Sequence, residues 1–249
     1  MALVAAGLDF SVFLRPAFDG SGNYLHFLVV GLQWTVFLSV AAWLIAFTVG
    51  SVIGVCRTLP GRVLPSFGAC YVEVFRNVPL LVQLFIWYFV IPDLVPGFGP
   101  WFKERLNPLL QQFLAALLCL GFFTAARVAE QVRSGINSLP SGQRAAGLAL
   151  GFNLAQTYWL VLLPVAYRVI VPTLTSEFLN VIKNSAVAST IGLVELSRQS
   201  QQLTDFTAHS YESYIAVTLL YALINLIVML GARSLERSLR LSGYVGGRK

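Results

Sequence analysis

Apolar residues run in long blocks with short polar punctuation, and five blocks are long enough for helices of about 20 residues, the length that crosses a hydrocarbon layer roughly 30 Å thick. They are Leu25–Val55, Phe67–Ile91, Leu109–Val128, a long region from Tyr158 to Leu196, and Tyr214–Ala232. The first is over-long for a perpendicular crossing, which implies tilt or an extension past the bilayer. Asn77 and Pro79 interrupt the second. The fourth contains Pro164, Pro172, Lys183 and Asn184, and fits either one kinked helix or a helix plus a re-entrant piece. No repeat or flexible linker divides the chain. The pattern predicts an all-α, polytopic membrane protein with a single transmembrane domain. It has an N-terminal segment (1–24), a core (25–235), a polar loop within that core (138–157) and a tail (236–249).

Composition supports this assignment. Apolar residues make up 57% of the chain and charged residues 11%, against about 25% charged in soluble proteins. The net charge of +6 does not point to nucleic acid, because the basic residues punctuate apolar runs and form no patch interleaved with aromatics. Their distribution sets an orientation instead. Arg57, Arg62, Arg133, Arg144, Arg233, Arg237, Arg240, Arg248 and Lys249 fall on one side, and Arg15, Lys103, Arg105 and Arg198 on the other, nine against four. The richer side is expected to be cytoplasmic. That places the N-terminus outside and the C-terminus inside, and five spans satisfy the odd number required. The outer connection, Pro92–Pro108, carries Trp101 and Phe102, residues suited to an interfacial belt.

Candidate chemistry is sparse. Cys56, Cys70 and Cys119 have no C-x-x-C spacing and read as small hydrophobes of the interior. His26 and His209 stand apart, outside any metal-ligand pattern. MALVAAGLDF has no basic opening and interrupts its apolar stretch with Asp9, so no cleaved signal peptide is expected. Neither G-x-S-x-G nor H-E-x-x-H occurs, which argues against a membrane hydrolase. G-x-x-x-x-G-K-[ST] is absent as well, so no nucleotide or other cofactor is expected on this chain.

Ionisable residues inside apolar blocks carry more information, because they usually face a cavity or a partner. Glu73/Arg76 and Arg127/Glu130 have i,i+3 spacing and are expected to pair on their own helices. Arg168 is expected to snorkel or to meet a partner subunit. Lys183 has no acid three or four residues away and is followed by Asn184 and Ser185. These three are candidates to line a solute path, together with Arg76 and Glu177. The other reading of Lys183 is an ammonium satisfied by carbonyls at a helix break.

The loop from Ser138 to Pro164 is the sharpest local signal. Pro140 suits a first helical turn, Gly151 a C-terminal cap at positive φ, and Asn153 with Gln156 a capping box. Two short helices joined at a glycine are predicted, the first carrying a small-residue face at Ala145, Ala146 and Gly147. The spacing Ala145-Ala146-Gly147, Gly151, then Val161-Leu162-Leu163-Pro164 resembles the EAA motif of binding-protein-dependent ABC importer permeases. Ala145 stands where that motif has glutamate, which removes one polar contact to the ATPase. EVFRNVPLLVQLF (73–85), RSGINSLPSGQ (133–143) and VIKNSAVASTIGLVEL (181–196) are similar to the polar amino-acid branch of the family, and most like its glutamate/aspartate permeases.

The resemblance implies a type I importer fold in the bacterial inner membrane. It implies a second permease subunit, homologous or identical, two cytoplasmic ATPases that use ATP and Mg, and a periplasmic amino-acid-binding protein. It also implies that Gly142, Gln143, Arg144, Ala145, Ala146, Gly147, Gly151 and Pro164 belong to the joint with the ATPase. A permease for another polar amino acid such as glutamine is the near alternative. A secondary transporter is the more distant one, and it is disfavoured by the absence of paired repeats. A channel is the remaining rival, and single-channel current would reveal it.

Overall fold

The computed structural model describes residues 7–18, 20 and 22–239. Apart from one isolated bridge between Pro16 and Asn23, the regular structure among these residues is helical. Lipid offers the backbone no hydrogen bonds, and a helix satisfies its own N–H and C=O groups. The principal helices are α1 (Tyr24–Cys56), α2 (Val63–Asn77), α3 (Leu80–Leu94), α4 (Pro108–Asn137), α5 (Ser141–Ala149), α6 (Leu154–Ile191), α7 (Leu196–Thr207) and α8 (Ser210–Leu239). Four of them, α1, α4, α6 and α8, are long and apolar enough to cross a membrane, and α2 with α3 makes a fifth span if the bent pair counts as one. Arg240, Arg248, Lys249 and residues 1–6 lie outside the described residues, and the tail 236–249 is described only as far as Leu239.

The break between α2 and α3 has a local cause. Val78 precedes Pro79, whose ring pushes its neighbour out of the helical region, and Val78 is extended at φ −89°, ψ 129°. In the fourth apolar region the choice left open by sequence falls to one continuous helix of 38 residues. A wide turn at Thr157–Leu162 comes immediately before Pro164. The wide turn frees the backbone where the proline can neither donate nor clear the carbonyl four residues earlier. Pro92 is preceded in the same way by a wide turn at Ile86–Val90. The last turns of α6, Ser185–Ile191, tighten to 3₁₀ geometry.

The chain forms two compact units, and long helices contribute to both. One is built from the residues up to Ala41, Leu80–Cys119 and Ile182–Leu226. Its core joins Val12, Phe27 and Leu28 to Leu196, Leu203 and Val217. The other takes Ala42–Pro79, Leu120–Val181 and the residues from Ile227 on. There, Val128, Val132 and Ile136 of α4 meet Tyr158, Leu162, Ala166, Ile170 and Leu174 of α6. Each set repeats about every fourth residue, so each forms a ridge along its helix that packs into the other's grooves. In the same unit α1 and α4 approach backbone to backbone. A Cβ added at Gly50 would lie 2.7 Å from the Ala125 carbonyl oxygen, and one at Gly54 would lie 2.7 Å from that of Ala129. Gly50-Ser-Val-Ile-Gly54 is a G-x-x-x-G pair, the spacing by which two helices in lipid pack without side chains between them.

Three local expectations are corrected. Glu130 does not pair with Arg127. It holds Arg57, just past the end of α1, and Arg133 of its own helix, and Arg127 faces Glu177. Glu73 accepts a hydrogen bond from Asn77 at 3.0 Å, and no ion pair to Arg76 forms among the described residues. Cys119 is buried as expected, but Cys70 is exposed, because α2 turns that face outward.

Glu195 has the densest hydrogen bonding of the buried acids. It is fully buried. It caps α7 by accepting from the backbone N–H groups of Ser197 and Arg198, each at 2.9 Å, and from the Tyr221 hydroxyl at 2.8 Å. Burial raises its carboxyl to about pH 7, despite these donors. The folded state therefore binds more protons than the unfolded chain between about pH 4.5 and 7, and stability falls as pH rises through that window. Thermal unfolding in detergent is expected to show this slope, and Glu195→Gln to flatten it. Glu195→Ala is expected to cost about 2–4 kcal/mol, for a lost cap and stranded buried donors.

Candidate functional site

Two groups of residues stand out as places where chemistry or force could pass. The first is the α5–α6 connection. α5 begins after Pro140, which stands just outside the helix with φ −55° and ψ 132°. It ends at Leu150, and Gly151 follows at φ +87°, the left-handed turn that glycine adopts without penalty. The Asn153 side chain accepts from the Gln156 backbone at 2.8 Å, and the Gln156 side chain accepts from the Asn153 backbone at 2.9 Å, closing the expected capping box. The predicted second short helix is not separate. It runs on without interruption into α6.

This corner is rigidly tied on its inner face. Gly147 is buried and packs against Thr157 so closely that an added Cβ would come within 2.9 Å of its methyl group. The Arg144 guanidinium stands 6.0 Å from the centre of the Tyr158 ring, near the outer limit of a cation–π contact. The Tyr158 hydroxyl in turn donates to the Thr58 carbonyl at 2.7 Å, just past the end of α1. One residue earlier, Arg57 pairs with Glu130 on α4. A continuous set of contacts thus leads from α5 through α6 to α1 and α4. On the outer face Gly142, Ala145, Ala146 and Leu148 are exposed, and Leu150 is 76% exposed. Gln143 is half-buried, and Pro164 is exposed just beyond the wide turn of α6. An exposed apolar face on a short, braced helix is the kind of surface that seats another protein or rests against lipid.

The second group is the set of ionisable and polar residues on the spans. Lys183 is exposed near the end of α6, and no hydrogen bond or ion pair holds its ammonium among the described residues. Asn184 is half-buried. Ser185 is fully buried, and its hydroxyl donates to the Ile182 carbonyl at 2.8 Å. Successive residues on a helix point about 100° apart, so these three do not share a face. Arg76 is exposed in the last turn of α2, and Glu177 is half-buried on α6, 3.8 Å from Arg127. Sequence spacing missed the Arg127–Glu177 and Arg57–Glu130 pairs because each joins different helices, and no local rule signals such a contact.

A family model described as binding-protein-dependent transport system inner membrane component matches residues 28–241. The chain belongs to this family. It is a multi-pass inner-membrane permease. Among similar proteins, the glutamate/aspartate import permease GltJ of Escherichia coli is 54% identical, over 96% of this chain and 98% of its own. The probable glutamine ABC transporter permease GlnM of Bacillus subtilis is 30% identical, over 90% of this chain and 97% of its own. A crystal structure of an amino acid ABC transporter with histidines superposes with a TM-score of 0.72 at 29% identity, covering 86% of this permease and 95% of the solved chain. The fold and the resemblance identified from 73–85, 133–143 and 181–196 are therefore those of the importer permeases.

Proposed function

We propose that this permease forms half of the path through which an ATP-driven importer carries glutamate and aspartate across the inner membrane. The braced α5–Gly151–α6 corner carries the reading, because it is a lever with a free apolar face, tied to three spans of its own unit. Likeness to GltJ, well above the likeness to a glutamine permease, supports the acidic substrate. Permeases of this family work with an ATPase and a binding protein. The finer assignment is two ATPase subunits seated on α5 from the cytoplasm, a second permease completing the path, and a periplasmic protein delivering the amino acid. On this reading the N-terminus is periplasmic, the C-terminus cytoplasmic, and ATP with Mg is bound by the partner alone.

Mechanically, ATPase closure displaces α5, and the corner passes the displacement to the spans. Only a ligand or motor with different affinity for the inward and outward states can shift their balance. A rigid corner lets binding at α5 contribute to that difference. Along the path, Lys183 is an exposed ammonium able to meet a carboxylate of the passing solute. The decisive experiment is uptake by vesicles holding the reconstituted complex and its binding protein. Glutamate uptake that requires internal or external ATP on the ATPase side, stops with vanadate and survives a protonophore is expected. The opposite inhibitor pattern would assign a secondary transporter. Lys183→Met is expected to insert and assemble yet lose about tenfold or more of uptake, the scale of one charge-assisted hydrogen bond. Full transport by that variant would remove Lys183 from the path.

A further inference from the structure

Arg127 is an intramembrane cation that belongs neither to the corner nor to the Glu130 ion pairs. It lies well inside α4, between Ala126 and Val128, both fully buried, yet its own side chain is 40% exposed. Its acidic neighbour is loosely placed. Nη1 stands 3.8 Å from Glu177 Oε2, beyond hydrogen-bond range. That oxygen is itself shielded from solvent and receives no hydrogen bond. The contrast with Glu130 is direct. There Arg57 and Arg133 both close on one carboxylate, with Arg133 Nε donating at 3.1 Å. That cluster is close and held by several hydrogen bonds. The Arg127–Glu177 pair is open.

The remaining contact of Arg127 leaves its donors free. The guanidinium carbon lies 4.9 Å from the centre of the Phe123 ring, one turn earlier on α4. An aromatic ring under a guanidinium attracts the cation without using its N–H groups. Those N–H groups form a fork that matches a carboxylate with two parallel hydrogen bonds. The site is therefore a restrained cation with open donors, and a nearby acid offsets its charge without filling them.

We propose that Arg127 recognises the side-chain carboxylate of the transported acidic amino acid, and that Glu177 balances its charge while no substrate is present. The proposal rests on the reading of this chain as an acidic amino-acid permease and adds the residue that distinguishes acid from amide. A side-chain amide has nearly the shape of the acid but brings no charge to the guanidinium and cannot accept both hydrogen bonds. Arg127 thus favours glutamate over glutamine by charge and by hydrogen-bond geometry together.

The test uses the whole transporter in vesicles, with uptake of labelled glutamate normalised to assembled complex. It also measures binding of glutamate and glutamine to the purified complex without its binding protein. Arg127→Gln is expected to lower glutamate uptake and binding at least about tenfold and to abolish the preference over glutamine, with Arg127→Lys intermediate. The double variant Arg127→Gln/Glu177→Gln leaves no bare charge behind, so its behaviour is free of misfolding from an unpaired acid. It is expected to remain as impaired as Arg127→Gln. Restoration of glutamate uptake and preference in the double variant would overturn the proposal, because the arginine would then serve only to neutralise Glu177. If the unaltered transporter carries no acidic amino acid, the functional reading itself fails. If it does and the double variant equals it, only the role of Arg127 falls.

Discussion

Gly151→Val is expected to reduce ATP-driven uptake by about tenfold or more while the permease still reaches the membrane and the complex still hydrolyses ATP. Gly151 has φ +87°, and a β-branched residue there is strained by about 1–3 kcal/mol. Each 1.36 kcal/mol changes a rate tenfold if it falls on the step concerned. The space around the position is open, with no atom within 4 Å of where a Cβ would stand. The effect is therefore confined to the backbone turn, and the packing of α6 is untouched. Relieving the strain means changing the angle at which α5 meets α6, and so the direction in which the corner can be pushed. Gly151→Asn supplies the control, because asparagine enters the left-handed region at little cost. It is expected to transport nearly as well as the original chain. Equal coupling in the valine and asparagine variants, measured as solute moved per ATP hydrolysed, would dissociate this corner from energy transfer.

The second large effect is expected at Gly54, and it is structural. Gly54→Leu should fail to give an assembled, detergent-stable permease, and Gly54→Ala should give one with a clearly lowered unfolding temperature. A methyl group at 54 would sit 2.7 Å from the Ala129 carbonyl oxygen and 2.7 Å from Val132 Cβ, so α1 and α4 must separate. Overpacking of this kind costs about 1–3 kcal/mol where side chains can yield, and more where the obstacle is backbone. Separation also disturbs the Arg57–Glu130 pair, because Arg57 lies three residues past Gly54 and Glu130 directly follows Ala129 on α4. Gly61→Ala is the comparison. Its added Cβ meets nothing within 4 Å, so crowding is absent, although its φ of +102° adds local strain. Chromatographic profile and unfolding temperature of the three variants read the difference. A well-behaved Gly54→Leu protein would show that the close α1–α4 approach is not required.

The corrections and the successes have a common physical origin. Helix positions follow from apolar block length, because lipid forces each block to satisfy its backbone internally. The capping box at Asn153 and the left-handed turn at Gly151 were legible for a similar reason, since a cap is an interaction among residues three or four apart. Arg127 and Glu130 failed the same local rule. Their i,i+3 spacing permits a pair, but Arg57 and Glu177, distant in sequence, offered partners that spacing cannot reveal. Glu195 is a helix cap enclosed by Thr35 and Tyr221, from two other helices, a setting that its place in the sequence does not signal.

Sequence by itself determined that this chain is a helical membrane protein, where each span starts to within four residues although α4 runs nine residues past its expected end, and, through motifs carried over nearly the whole chain, which family it resembles. Tertiary structure alone decided that the fourth apolar region is one helix, that α1 and α4 touch through Gly50 and Gly54, and which acids Arg57, Arg127 and Arg133 meet. The division reflects range. Hydrophobic block length and capping act between near neighbours and are written in sequence order, whereas close packing and ion pairing depend on which distant segments the folded chain brings together.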